Sequence, residues 1–417
     1  MKKSINNYWY NILQRFRARN AGKLALRSLM LFVLIALISP FVANERPWYF
    51  HLEGKHYSPL LRGLLVDAGL SKWPAELLPA EAWAEKSPET IIYTLIPYSP
   101  GSIDRRNLSA RGPFEKQRIK SWRFRHWLGT DTSGRDVAAG MLHGTRMALW
   151  LGIVMVAIAI SLGLVLGGLA GYFGDQRLVI SKANIWSILL PLPFLLFYLA
   201  YLPGTHEATH WSIQFIQQLG YLLLFNLLMF LISKCLHKLF PRWGQYVIPL
   251  DTLLMRSLEV VDAIPSMILI LALIATLKQP SATYIMAVVG IVSSAAVARF
   301  VRAEFLRVRQ QTYMEAGRAL GFSHWRLLFR HALPNAIGPL LVLITFCMAQ
   351  AIIVNSSLYV LGIGKVDQVT WGSILGQLRG QHELEWWLAF FPGLAIFFTV
   401  LTFRYLSEGL SEALGEK

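Results

Sequence analysis

Long blocks of apolar residues, separated by short polar or basic segments, recur along most of the chain. About 20 apolar residues, each rising 1.5 Å along a helix, cross the hydrocarbon core of a bilayer. The pattern predicts eight transmembrane helices, at Ser28–Asn44, Met147–Gly174, Ala183–His206, Ala208–Ser233, Arg256–Leu277, Gln279–Ala298, Ala332–Gly364 and Trp386–Phe403. Such a pattern is typical of an all-α, polytopic membrane protein.

The first apolar block follows a basic N-terminal segment and fits either a secretory signal peptide or a first membrane span. Its apolar part is long for a signal peptide, and Ser39–Asn44 makes a poor small-residue cleavage site. We therefore predict a span.

The block Met147–Gly174 contains no charged residue. Within it, Gly163, Gly167, Gly168 and Gly171 form a stripe of small residues. Because such a stripe lets two helix backbones approach closely in a membrane, we expect it to pack against another span.

Basic residues indicate on which side of the membrane the short loops lie. They concentrate after the second span, after the fourth span and between Arg299 and Arg330, whereas the alternate loops are weakly basic or acidic. Because cytoplasmic loops are enriched in Lys and Arg, both termini are predicted to be cytoplasmic. The predicted organisation is a cytoplasmic segment 1–27, a first helix 28–44, an irregular external segment 45–146, and a transmembrane domain 147–417 with an inserted hairpin at about 183–233.

Composition and charge narrow the class of protein. The chain is 54% hydrophobic and only 15% charged, which argues against an ordinary soluble enzyme. A net charge of +16 would fit nucleic-acid binding in a soluble protein, but these basic residues flank apolar blocks and fit anionic lipid instead. Cys235 and Cys347 lie in or beside apolar blocks, so neither a disulfide nor a Cys-based metal site is predicted.

Helix start and stop signals are dense in the basic segment at about 302–334. Thr312, with Glu315 three residues later, matches a capping box that opens a short helix, and Gly321 stands where a left-handed C-terminal cap belongs. Ser323 then caps a second helix, which Pro334 is predicted to end at the membrane boundary.

This second helix is predicted to be amphipathic. Its apolar stripe comprises Phe322, Trp325, Leu328 and Phe329, and its polar face comprises His324, Arg326 and Arg330. Such a stripe is expected to be buried against the membrane surface, the rest of the chain or a groove of a partner.

The same segment resembles the EAA loop of binding-protein-dependent ABC importer permeases. The resemblance rests on Glu315-Ala316-Gly317-Arg318-Ala319-Leu320-Gly321 and Leu333-Pro334-Asn335. Further stretches resemble the C-type subunit of peptide permeases, namely His126–Val137 with Gly144–Arg146, Tyr172–Asp175 and Glu259–Pro265.

The resemblance implies a type I ABC importer permease core of six helices, with the hairpin as an addition, in a bacterial inner membrane. It also implies peptide transport together with a second permease, two cytoplasmic ATPases and an external substrate-binding protein. ATP and Mg²⁺ would be bound by the ATPases, so no catalytic residue, cofactor or metal is expected in this chain. The residues expected to couple it to the ATPase are Glu315, Ala316, Gly317, Ala319, Gly321, Phe322, Ser323, Trp325, Leu328, Phe329, Leu333 and Pro334.

The sequence departs from that family at some positions. Gly317 stands where Ala is common, which is expected to loosen the first short helix by up to about 1 kcal/mol. Asn355-Ser356-Ser357 replaces a segment that is often acidic and small, and this change bears on the translocation path and therefore on the substrate.

Acidic residues near the start of a predicted span fit two interpretations. Glu259 and Asp262 could belong to a proton relay, but Arg256 lies three residues before Glu259 near the cytoplasmic end and favours an interfacial ion pair. Pro265, one turn later, is a candidate hinge.

Two further polar groups are given structural interpretations. The stretch from Gly129 to Asp136 is predicted to be a turn in which Ser133 and Asp136 form a capping box. The residues His206, Glu207 and His210 are of metal-binding types. Three candidate ligands without a further acidic or cysteine residue do not predict a metal site.

The chain contains no Walker A sequence, since Gly22-Lys23 and Gly364-Lys365 lack the upstream glycine and the following Ser or Thr. ATP must then be hydrolysed by another chain. Two alternatives remain beside a peptide importer. One is an importer of nickel or another small ligand. The other is a carrier driven by an ion gradient, against which the uncharged middles of most spans argue.

Overall fold

The computed structural model describes residues 10, 12–52, 54–73, 90–175, 179–181, 225, 227–229, 231–232, 234–235, 245–276, 281–364, 369–378 and 385–415. Among these residues, five helices are long and apolar enough to cross a membrane, and one bent pair is a sixth candidate. A mostly helical fold is therefore confirmed. Most of the predicted hairpin at 183–233, with His206, Glu207 and His210, lies outside the described residues.

The helices are α1 (Asn20–Val42), α2 (Pro59–Asp67), α3 (Val137–Phe173), α4 (Leu250–Asp262), α5 (Ser266–Ala275), α6 (Ala282–Arg309), α7 (Thr312–Ala319), α8 (His324–Leu327), α9 (Leu333–Val360), α10 (Trp371–Gly376) and α11 (Trp386–Leu414). A further short helix occupies residues 12–18, and a π-helical turn occupies Leu328–Ala332. The strands are β1 (Tyr49–Leu52), β2 (Lys55–Tyr57), β3 (Thr90–Ile92), β4 (Val179–Ser181) and β5 (Gln245–Val247). Helices α1, α3, α6, α9 and α11 account for five of the predicted spans.

The predicted span Arg256–Leu277 is wrong as a single helix. Helix α4 ends at Asp262, α5 begins at Ser266, and the two are bent by 81°. Pro265 lies in this break with an extended backbone instead of kinking a continuous helix. Proline lacks the N–H that an interior turn requires, and it disfavours helical backbone in the preceding residue.

Close packing of α3 against α6 forms the centre of the membrane domain, as the glycine stripe predicts. The glycines in contact with α6 are Gly163, Gly167 and Gly171. A Cβ on Gly167 would collide with the backbone carbonyl oxygen of Ala298, whereas a Cβ on Gly168 would only touch the ring of Phe305, 3.7 Å away. The two backbones therefore touch directly along this stripe.

Both termini lie at the end of the molecule that carries α7, here called the α7 end. Ile12 and Phe16 of the short N-terminal helix pack against Ala413 near the end of α11. Gly338, near the start of α9, lies close to Leu414. These contacts bring the first and last described residues to the same side of the helical domain.

A small antiparallel sheet lies at the opposite end, here called the sheet end. Its strand order is β2–β1–β3, and Phe50, which is fully buried, stands opposite Tyr57 and Ile91. This sheet is a small addition to the helical fold, and it lies in the segment that the sequence analysis expected to be irregular. The strands are only three or four residues long, so their alternation of apolar and polar residues is too brief to predict a sheet.

The turn that leads into α3 is organised by Asp131 and Asp136. The Asp136 carboxylate caps α3 by accepting a hydrogen bond from the N–H of Ala139 at 2.7 Å. The predicted capping box is therefore wrong, because Asp136 itself is the N-cap. The Ser133 N–H instead donates to Asp131 Oδ1 at 2.9 Å.

A buried histidine joins this turn to the preceding part of the external segment. His126 Nδ1 lies 2.7 Å from Asp136 Oδ2, its Nε2 lies 3.2 Å from Asp104 Oδ2, and its ring stacks on Tyr98. Burial by itself lowers the pKa of His126, but the hydrogen bonds and charges of the two aspartates outweigh it and raise that pKa. When it is protonated, the imidazole links two acidic side chains inside this segment.

Candidate coupling site

Helix α7 begins without the predicted capping box. Its N-cap is Gln311, so Thr312 is already the first helical residue and is not placed to cap the helix. Glu315 lies in the first turn with an exposed side chain. Its negative charge there is favourable because the first turn of a helix carries unsatisfied N–H groups and partial positive charge.

The predicted C-terminal cap at Gly321 is present. Gly321 has a positive φ of 76°, and the N–H of Phe322 donates to the carbonyl oxygen of Gly317 at 3.0 Å. This is the hydrogen bond of a Schellman motif, and glycine adopts its left-handed backbone without steric cost. The chain therefore reverses sharply between α7 and α8.

Gly317 lies where α7 packs against α8. A Cβ at this position would lie 2.7 Å from Leu327 Cδ2, and Leu327 is almost completely buried. Alanine is the better helix former, but here it would collide with the neighbouring helix. The expectation that Gly317 only loosens α7 is therefore incomplete, because glycine is what permits the close approach.

Helix α8 begins as predicted but does not end at Pro334. The Ser323 side chain accepts a hydrogen bond from the N–H of Arg326 at 3.4 Å. The chain then continues through the π-helical turn into α9, forming one helical stretch from His324 to Val360. Pro334 is tolerated because it lies in the first turn of α9, where a missing N–H costs little.

The predicted apolar stripe is divided between two environments. Leu328 is buried with Leu327, which sequence reasoning missed, whereas Trp325 and Phe329 are exposed and stack on each other with ring centroids 5.6 Å apart. Phe322 is partly buried and packs against the helical core. Only part of the stripe is thus available to a partner.

A groove of about 290 Å³ lies beside the exposed aromatic pair. It is lined by Leu164, Val165, Gly168, Leu169, Phe305, Trp325, Leu328, Phe329 and Leu333. The groove therefore connects the surface of α8 with the end of α3 that lies at the α7 end.

A second exposed surface belongs to α7 itself. Glu315, Ala316 and Ala319 are exposed, and Leu320 retains 72% of its accessible surface. A leucine this exposed, next to two alanines and an acid, is typical of a surface that contacts another protein. The predicted coupling residues therefore present two neighbouring exposed surfaces.

Contacts inside the chain connect this region to the membrane helices. Tyr172 near the end of α3 hydrogen-bonds through its hydroxyl to His324 Nδ1 at 3.3 Å. Arg318 donates through Nη2 to the carbonyl oxygen of Arg309 at the end of α6, at 3.0 Å. Met314, which the sequence did not single out, is fully buried in the main core. A displacement of α7 and α8 would thus be felt by α3, α6 and α9.

The acids of α4 form ion pairs. Arg256 Nη1 lies 2.7 Å from Glu259 Oε2 on the exposed face, as predicted, and Asp262 pairs with Arg299 of α6. Just after α3, the pKa of Asp175 is lowered by hydrogen bonds from the backbone N–H and the side chain of Thr252 in α4. Within the described residues, no group of three or more His, Cys, Asp or Glu side chains could hold a metal ion.

A cavity of about 760 Å³ lies beside the break between α4 and α5. Its walls include one face of α6 and one face of α9. Ser357 lines this cavity, whereas Asn355 and Ser356 are buried on the other side of α9. Only one residue of the divergent Asn355-Ser356-Ser357 segment therefore faces the space in which a solute could move.

Comparison with known proteins identifies the domain that carries these features. Residues 244–416, which contain α4 to α11, match the family described as the inner membrane component of binding-protein-dependent transport systems. The chain carries this permease domain. The predicted resemblance is thereby confirmed, and the family implies a substrate-binding protein and an ATPase as partners of a multi-pass membrane subunit.

Individual relatives agree with this assignment. The glutathione transport system permease protein GsiD of Pectobacterium atrosepticum is 29% identical over 293 residues, covering 70% of this chain and 73% of that protein. The dipeptide transport system permease protein DppC of Alkalihalophilus pseudofirmus is 26% identical over 293 residues, covering 70% and 72%. GsiD of Shigella flexneri is 39% identical over 168 residues, covering 40% and 55%.

Proposed function

We propose that this chain is a membrane-spanning subunit of an ATP-driven importer of peptides. It would work beside a second permease, two ATPase subunits and an external substrate-binding protein. The names of the relatives, which are permeases of glutathione, dipeptide and peptide transport systems, support a peptide substrate over nickel. ATP and Mg²⁺ would be bound by the ATPase subunits, and this chain would bind no cofactor.

The observation that carries the proposal is the continuity of α8 with α9. Because His324–Val360 is one helical stretch, a force applied at Trp325 acts directly on a membrane span. The contacts of α7 and α8 with α3 and α6 would spread the movement to the rest of the domain. Closure of the ATPases would thus change the spans between two states that open to opposite sides of the membrane.

Six exposed residues of α7, α8 and the turns that follow them would form the contact with the ATPase. They are Glu315, Ala316, Ala319, Leu320, Trp325 and Phe329. Of the other predicted coupling residues, Gly317, Phe322, Leu328 and Leu333 pack against the chain and would shape the contact from within. Gly321 sets the turn, and the exposed residues Ser323 and Pro334 lie at the starts of α8 and α9. The placement of both termini at the α7 end supports the proposal that both are cytoplasmic.

A pull-down of the tagged chain from cells that express the whole importer tests this proposal. Trp325→Glu should abolish recovery of the ATPase chains in mild detergent, because a buried carboxylate would lose its hydration in an apolar contact. Trp122 of the external segment is a matched control, since it is 63% exposed against 62% for Trp325. Trp122→Glu should recover the ATPase chains as the wild type does.

The same preparation distinguishes the alternatives. Elution of the wild-type chain alone and without ATPase activity from several detergents would contradict the proposal and favour an ion-driven carrier. Uptake of a labelled tripeptide and of Ni²⁺ by cells that express the importer separates the two kinds of substrate. We expect ATP-dependent uptake of the tripeptide.

A further inference from the structure

The cavity beside the α4–α5 break has the size of a small-molecule binding site. Its volume of about 760 Å³ falls within the range of ligand pockets in general. On α9 the lining residues Phe346, Gln350, Ile353 and Ser357 follow the period of a helix and so form one continuous face. The cavity thus runs along α9 and is lined mainly by apolar side chains, with a few polar groups among them.

Asp262 is the one charged residue among the described residues that line this cavity. It is the last residue of α4, directly before the break, and it forms an ion pair with Arg299 of α6. The side chains of Asp262 and Arg299 keep 41% and 44% of their accessible surface. Asp262 therefore lines the cavity with a partly accessible carboxylate, and Arg299, which does not itself line the cavity, pairs with that carboxylate from α6.

A neighbouring ion pair on α4 does not face the cavity as Asp262 does. Arg256 and Glu259, one turn earlier on α4, form a more exposed pair that does not line the cavity. An interfacial structural role is sufficient for that pair. Such a role does not explain why the Asp262 carboxylate faces a mainly apolar cavity. A charge in such a place is costly unless it is paired, and an ionisable residue there is usually functional.

We infer that Asp262 and Arg299 contact the charged side chains of a peptide as it passes along this cavity, and this inference rests on the proposed function. The carboxylate of Asp262 accepts hydrogen bonds from an ammonium group, and the guanidinium of Arg299 binds a carboxylate with two parallel hydrogen bonds. Without a peptide each side chain neutralises the other. A lysine side chain of the peptide takes the place of Arg299 at Asp262, and a glutamate side chain takes the place of Asp262 at Arg299.

Uptake of three tripeptides by membrane vesicles that contain the complete importer tests this inference. The probes are trialanine and the two tripeptides with a central lysine or a central glutamate, and the affinity of the binding protein for each is measured separately. Asp262→Asn should lower uptake of the lysine peptide about tenfold relative to trialanine. Arg299→Gln should do the same for the glutamate peptide, and Asp262→Glu should preserve the wild-type ratios.

Glu259→Gln is the matched control, because it removes a carboxylate of the same helix that does not line the cavity. Equal ratios in the wild type, Asp262→Asn and Arg299→Gln would overturn the inference while leaving the proposed function intact. A loss that is the same for all three peptides would indicate a structural ion pair and would also overturn it. If wild-type vesicles take up none of the peptides, the proposed function is wrong, and this inference is wrong with it.

Discussion

Gly317 and Leu327 face each other where the two short helices of the coupling segment meet. A Cβ on Gly317 would lie 2.7 Å from Leu327 Cδ2, so any side chain at position 317 would force Leu327 or the helices to move. The orientation of α7 relative to α8 therefore depends on a residue without a side chain. This relationship makes the surface offered to an ATPase sensitive to a single methyl group.

Gly317→Ala should lower the thermal stability of the purified importer in detergent. The substitution gains up to about 1 kcal/mol in helix propensity but costs about 1–3 kcal/mol by overpacking a buried contact. Removing the opposing methyl groups with Leu327→Ala should make the two changes less than additive in a double-mutant cycle. A Gly317→Ala variant that melts above the wild type would show that Leu327 moves aside without cost.

Gly321→Ala should weaken the coupling segment for a different reason. Nothing lies within 4 Å of a Cβ at this position, but the left-handed backbone, with φ of 76°, costs an L-residue about 1–2 kcal/mol. Gly321→Asn should cost less, because asparagine tolerates this conformation. Gly321→Pro should abolish peptide uptake and ATPase binding with normal membrane insertion; normal uptake by this variant would contradict the proposed coupling role.

Gly167→Ala and Gly168→Ala should differ although the residues are adjacent. A methyl group on Gly167 meets the carbonyl oxygen of Ala298, which belongs to the rigid backbone of α6, whereas Gly168 has space before the ring of Phe305. We expect Gly167→Ala to destabilise the domain by at least about 1–3 kcal/mol and Gly168→Ala to have little effect. Melting temperatures and yields of the two variants in detergent measure this difference, and equal values would argue against direct α3–α6 backbone contact.

The stability of the segment predicted to be external should depend on pH through His126. Its pKa is raised in the folded state by Asp136 and Asp104, so protonation favours folding. This contribution is fully present below the unfolded pKa of about 6.5 and is lost as pH rises through the higher folded value. Hydrogen exchange of residues 104–136 should therefore become faster as pH rises through that range, after correction for the intrinsic pH dependence of exchange.

His126→Gln should remove this pH dependence, because glutamine keeps a hydrogen-bonding side chain but does not titrate. Protection that is equally pH-dependent in His126→Gln would assign the effect to another group.

Local signals in the sequence predicted several parts of the coupling segment correctly. Gly321 and Ser323 act through hydrogen bonds to residues three to five positions away, so their roles can be derived from spacing alone. The capping box at Thr312 failed because the helix starts one residue earlier than the pattern predicts, with Gln311 as its N-cap. The apolar stripe failed in part because periodicity shows which side chains share a face but not what covers that face.

The sequence by itself determined five of the membrane-spanning helices, the close contact of the glycine stripe and the resemblance to a permease family. These follow from the length of apolar blocks, from residue size and from short motifs, all of which are local properties of the chain. Tertiary structure decided the pairing of Asp262 with Arg299 and the burial of Leu327 beside Gly317. Each of these depends on residues that are distant along the chain or on different helices, and only the packing of those helices brings them together.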